Sequence, residues 1–145
     1  MFKNILVPVD GSNNSMEALA KGIELAKLCG AALSVLTVYR HHSLLESSFA
    51  MVRPDEPGNM DDILRGHATQ VAETAKARAI EAGVPGTRAF VKNGPVARGI
   101  AAFAKERGID LIVIGGRGLG STEAYLLGSV SHKVTGTAPC PVMVV

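Results

Sequence analysis

The sequence predicts an α/β fold: a five-stranded parallel sheet in the order 3-2-1-4-5 with helices on both faces, a Rossmann-like architecture. Three observations predict it. Five short apolar runs are rich in β-branched residues, and they alternate with segments whose apolar residues recur at helical spacing. The runs are apolar on both faces, as strands covered on both sides of a parallel sheet must be. The fourth run, "DLIVI", empties at once into "GGRGLGSTEAYLLGS" (115–129), which holds five glycines in fifteen positions. In a sheet of this order the winding reverses between strands 1 and 4, and a ligand crevice lies outside their carboxyl ends.

The elements follow in order. "NILVPV" (4–9) is the first strand and ends at the turn cluster "DGSNNS". Asn14 and Glu17 are spaced like a capping box, Met16, Leu19, Ala20 and Ile23 repeat with helical period, and Gly30 stops the first helix. "ALSVLTVY" (32–39) is the second strand, and residues 40–60 are rich in turn formers. From about Asp61 a second helix shows Ala68, Val71, Ala72, Ala75 and Ala79 on one face, and "GVPG" closes it. "TRAFVK" (87–92) alternates as a third strand. Pro95 suits the first turn of a third helix, Val96, Ile100, Phe103 and Ala104 form its stripe, and Gly108 terminates it. After the glycine-rich stretch a helix is expected from about Ser129 to Gly136, and "PVMVV" forms the last strand.

A chain of 145 residues suits one domain, 1–145, built on one core. Its net charge of +2, with four phenylalanines, two tyrosines and no tryptophan, does not describe a nucleic-acid-binding protein. No apolar run is long enough to span a membrane, and the N-terminal residues lack a secretory pattern, so a cytoplasmic protein is expected. Cys29 and Cys140 form no CxxC pair and read as reduced, mostly buried thiols. Adjacent His41 and His42 do not read as metal ligands, and no metal site is expected. His67 reads as solvated on the second helix, and His132 lies near the glycine loop without an evident partner.

A glycine cluster costs conformational entropy and needs a reason: left-handed turns, or close approach of the main chain to a ligand. Two standard nucleotide motifs fail. Gly115 and Gly120 have Walker A spacing, but Ser121 and Thr122 follow and the lysine is missing. G-x-G-x-x-G is broken by Ser121, and it belongs after the first strand. A third pattern fits without gaps: G-x2-G-x9-G-[ST], with Gly115, Gly118, Gly128 and Ser129.

This pattern, with "ILVPVDGS" at one end and "LLGSVSHKVTGTAPCPVMVV" at the other, resembles the ATP-binding branch of the universal stress protein family over nearly the whole chain. The resemblance implies the fold derived above and an adenine nucleotide: ATP with magnesium as its counter-ion, or AMP or ADP. It implies that Asp10 accepts from the ribose hydroxyls, that Pro8 and Val38 touch the adenine, and that Gly115, Arg117, Gly118, Gly128, Ser129, Val130 and Ser131 surround the sugar and phosphates. Physical chemistry agrees. N–H groups of a glycine-rich turn and of a helix start attract anions, and serine hydroxyls donate to phosphate oxygens. Other roles stand beside these: Asp10 can close an Asx turn, Ser129 can serve as a helix N-cap, and Arg117 can point to solvent.

The connection "HHSLLESSFAMVRPDEPGN" (41–59) is long for a compact domain. Its "HHSLLE" and "MVRP" resemble the subgroup of the family associated with TRAP-type solute transporters. The expected function is a nucleotide-dependent binding module or regulator rather than an enzyme, since no residue is recognisably placed to activate water. A slow ATPase is the first alternative. An α/β protein binding another anionic cofactor such as a flavin is the second, though few aromatics flank the loops. The uncharged last strand, with nothing following it, is expected to pair with its copy in a homodimer.

Overall fold

The computed structural model describes residues 1–40, 57–116 and 128–145. Five strands, β1 (Asn4–Pro8), β2 (Ala32–Tyr39), β3 (Arg88–Asn93), β4 (Leu111–Ile114) and β5 (Val142–Val144), pair in the order β3-β2-β1-β4-β5. Every pairing is parallel, so all carboxyl ends lie along one edge of the sheet. Four helices are described: α1 (Asn13–Cys29), α2 (Pro57–Glu81), α3 (Val96–Glu106) and α4 (Ser129–Thr137).

The two-faced apolar strands build two cores. On one face Ile5, Val7, Val9, Leu33, Val35, Leu111 and Val113 pack with Ala18, Leu19, Ile23 and Ala26 of α1 and Ala75 and Ala79 of α2. On the other, Leu6, Leu36, Ile112 and Ile114 meet Ile100, Phe103 and Ala104 of α3 and Val134 of α4. The small residues of α2 and the interior Gly22 of α1 let helices lie close to the sheet. A Cβ at Gly22 would fall 2.5 Å from Cγ2 of Val7.

Several boundaries differ from expectation. The α1 N-cap is Ser12, whose side chain accepts from Ser15 N, while Asn14 lies inside the first turn. The Asn14–Glu17 spacing is therefore not a capping box; a reciprocal Ser12–Ser15 pair takes its place, with Ser15 Oγ donating to Ser12 O at 2.9 Å. Ala20 is exposed, and Ala18 holds the inward position instead. Helix α2 begins at Pro57 rather than near Asp61. Pro57 is pre-set for a first helical turn, and the turn formers Gly58 and Asn59 are overridden by the helix that follows. Pro95 is the N-cap of α3 rather than a residue of its first turn. Strand β3 starts at Arg88, one residue late, because Thr87 N donates back to Val84 O at 3.2 Å, as does its hydroxyl, and is not free for the ladder. Gly30 (φ 64°) and Gly108 (φ 63°) end their helices in left-handed conformations, as expected.

The thiols of Cys29 and Cys140 are free and half-buried, less enclosed than the sequence suggested. Burial and the nearby Asp110 carboxylate raise the Cys140 thiol pKa above its ordinary range, while a main-chain hydrogen bond at Ile112 pulls the other way. Among the described residues no helix is long and apolar enough to cross a membrane.

Candidate nucleotide site at the carboxyl edge

The winding reverses where β1 and β4 are neighbours, the place at which a sheet of this order forms its ligand crevice. Pro8 ends β1 and is buried; Asp10 follows it, exposed. The Asx-turn role is realised: Asp10 Oδ1 accepts from Ser12 N at 2.9 Å, and Asp10 N donates to Ser15 Oγ at 3.4 Å. Asp10 is thereby held at the mouth of the crevice by the start of α1. On the next strand, half-buried Val38 packs against α3, where a Cβ at Gly99 would meet Val38 Cγ1 at 3.3 Å. The missing side chain at Gly99 is a close approach that the sequence reading overlooked.

Beyond β4 the ladder continues past the formal strand. Val145 N donates to Ile114 O at 2.8 Å, and Gly116 N donates to Val145 O at 2.9 Å. The glycine loop thus leaves the sheet at Gly116, and its far end returns to the same place, because Gly128 N donates to Gly116 O. Helix α4 starts there. Its N-cap is Gly128 (φ −64°, ψ 160°), with no side-chain cap hydrogen bond, so Ser129 does not cap the helix. Ser129 is instead an exposed residue of the first turn. The N-cap glycine thus offers no side chain to the leading N–H groups of α4, and a helix N-terminus of this kind can receive an anion.

Neither described glycine of the G-x2-G-x9-G pattern sits in the left-handed region, since among the described residues the positive-φ glycines are Gly11, Gly30, Gly83, Gly94 and Gly108. Left-handed turns are thus not the reason for Gly115 and Gly128. At Gly115 the reason is close packing: a Cβ would lie 2.6 Å from Asn14 Oδ1 and 3.0 Å from Asn14 O. Ser131 is 2% exposed, and its hydroxyl lies 3.2 Å from Gly116 O and 3.1 Å from Gly128 O. It closes the loop's two ends rather than presenting a surface hydroxyl. Val130 is half-buried against the α3 side of the sheet, and His132 is exposed, its N–H donating to Gly128 O at 2.9 Å.

Of the expected site residues, Pro8, Asp10, Val38, Gly115, Gly128, Ser129, Val130 and Ser131 gather along the carboxyl edge. Arg117 and Gly118 lie outside the described residues, as does the stretch carrying "HHSLLE" and "MVRP". Sequence reasoning missed Asn14 and the main chain of Val145. The only signal for Asn14 was its place in the "DGSNNS" turn, and Val145 carried none.

The family model described as "Universal stress protein family" matches residues 1–145. A universal stress protein of Bacillus subtilis, YxiE, is 38% identical over 148 residues, covering 100% of this chain and 99% of the relative. Among solved structures, the universal stress protein UspA of Lactobacillus plantarum superposes with a TM-score of 0.83 at 26% identity, covering 99% of this chain and 97% of that one. A universal stress protein in complex with cAMP (TM-score 0.71, 24% identity, 99% and 96% covered) shares the fold. So does one from Archaeoglobus fulgidus in complex with dAMP (TM-score 0.69, 23% identity, 99% and 97% covered).

Proposed function

The chain belongs to the universal stress protein family, and on that premise we propose that it is an ATP-binding regulatory protein of the stress response, a binding module whose nucleotide state changes its partners. One observation carries this reading. The G-x2-G-x9-G-[ST] pattern begins at the end of β4 and ends at the start of α4, whose N-cap is a glycine, and Asp10 follows β1, the strand paired with β4 where the sheet reverses its winding. Adenine nucleotides in two proteins of the same fold, cAMP in one and dAMP in the other, support the ligand class.

In this reading the first-turn N–H groups of α4 and the Ser129 hydroxyl hold phosphate oxygens. Gly128, whose φ any residue can adopt, is a glycine because the phosphates need the space. Asp10 accepts from the ribose, and Pro8 and Val38 line the adenine. Gly118 and Arg117 complete the phosphate side, and Val130 packs beneath it. Ser131 contributes by holding the loop ends together. Magnesium enters as the counter-ion of the triphosphate.

Binding rather than turnover is the output, because no residue is recognisably placed to activate water and Ser121 stands where a Walker lysine would be needed. Two further proposals belong to it: homodimerisation through β5, and regulation of a TRAP-type transporter, which rests on the resemblance of the 41–54 segment alone. Mass spectrometry of the small molecules released from the purified protein tests the ligand. An adenine nucleotide in near-stoichiometric amount is expected; a flavin or other anionic cofactor in its place would overturn the reading.

A further inference from the structure

The hydrogen bonds around Gly116 have a centre that is neither a glycine of the nucleotide pattern nor a residue assigned to the ligand. Val145 O accepts from Gly116 N at 2.9 Å and from Asn14 Nδ2 at 3.3 Å. Gly116 O in turn accepts from Gly128 N, and the Ser131 hydroxyl lies beside it. Both ends of the glycine loop thus hang on one main-chain carbonyl of β4's extension, and that residue hangs on the oxygen that Asn14 holds. The same Asn14 side chain fills the space against Gly115. A single half-buried amide from α1 therefore has its oxygen in the space a Gly115 side chain would need and its nitrogen on the Val145 carbonyl that accepts from Gly116 N.

We propose that Asn14 is a positioning residue for the nucleotide loop: it fixes where the chain leaves β4 and so sets the distance between the loop's two ends and the start of α4. The inference rests on the nucleotide reading above and adds a determinant of affinity that touches no ligand. The physical warrant is preorganisation. A loop whose ends are already fixed loses less freedom on binding, and release of one end lowers affinity without removing a contact. Gly115 and Asn14 are then a matched pair, since the absence of a side chain at one makes room for the amide at the other.

The test is calorimetric titration of ATP into the wild type, Asn14→Ala and the uncharged, similarly sized Asn14→Leu, with amide exchange measured on the ligand-free proteins. Both variants should bind ATP about three- to tenfold more weakly, as the loss of one or two modest hydrogen bonds implies. The Gly116 and Gly128 amides should exchange faster in both, while the Leu19 and Ile23 amides in the body of α1 keep their protection. Wild-type affinity in both variants would overturn the positioning role and leave the nucleotide reading intact. Equal loss of protection throughout α1 would also overturn it, since Asn14 would then act only on helix stability. If Asn14→Ala fails to fold, Asn14→Leu decides. A wild type that binds no adenine nucleotide would overturn the nucleotide reading itself, and this inference with it.

Discussion

Asn14 occupies the space that a side chain on Gly115 would need: a Cβ there would lie 2.6 Å from Asn14 Oδ1 and 3.0 Å from the Asn14 main-chain oxygen. Contacts that short cannot persist, and one of the neighbours is backbone, so the first turn of α1 or the end of β4 must shift. Gly115→Ala should destabilise the protein by about 1–3 kcal/mol, the usual cost of overpacking. Urea unfolding of the two proteins measures it as a lower midpoint at unchanged slope. Unchanged stability would mean that this packing yields freely.

Gly22 provides a second case, in which two effects oppose each other. Alanine in the middle of α1 gains roughly 1 kcal/mol of helix propensity over glycine. Its Cβ would meet Val7 Cγ2 at 2.5 Å, and Val7 is a fully buried, β-branched residue of the central strand. Overpacking of about 1–3 kcal/mol should win. Thermal unfolding of Gly22→Ala is expected at a lower midpoint than wild type, and a higher midpoint would show that α1 can move outward at little cost.

How much of this was legible in the sequence follows from what each residue interacts with. The strands and their order could be read because apolar β-branched runs and helical periods are local signals, and right-handed crossovers leave few ways to connect them. The glycine loop's place at the end of β4 could be read for the same reason. The α1 cap is Ser12 rather than Asn14 because the Ser12 hydroxyl accepts from Ser15 N, a contact that the Asn14–Glu17 spacing does not reveal. The reasons for Gly22, Gly99 and Gly115 were hidden because each lies in a tertiary contact between two different elements, which no local pattern reports. The sequence suggested a Ser131 hydroxyl donating to phosphate oxygens, and it did not reveal that the side chain is buried with its hydroxyl beside Gly116 O.

The raised pKa of the Cys140 thiol has a measurable sign. The fold disfavours the thiolate through burial and the Asp110 carboxylate. Stability from this group is therefore complete below the thiol's unfolded pKa and is lost as pH rises through the higher folded value. Iodoacetamide at pH 8 should modify Cys140 more slowly than the same residue in the urea-unfolded chain, since only the thiolate reacts. Asp110→Asn removes one of the two causes and should speed the reaction. Equal rates in the folded and unfolded chains would contradict the assignment.

Strand β5 is an edge, with Met143 39% exposed and Val144 36% exposed, and no charge protects it. Antiparallel pairing with a second copy would satisfy its outer N–H and C=O groups around a two-fold axis. Light scattering at micromolar concentration should give twice the chain mass. Val142→Lys with Val144→Lys should shift it toward monomer, while Arg78→Lys on the exposed side of α2 should not. A wild-type monomer, or a dimer indifferent to the strand charges, would remove this interface.

The proposed binding of ATP by the segment from Gly115 to Ser131 is decided by calorimetric titration of wild type, Gly118→Val and Gly128→Val. Gly128 has an ordinary φ of −64°, so a side chain there strains no backbone dihedral, and a loss of binding would report on space for phosphate. A saturable wild-type isotherm is expected, with at least tenfold weaker binding in each variant, about 1.4 kcal/mol, and the folded state retained. Equal affinities in all three proteins, or no heat from the wild type, would contradict it.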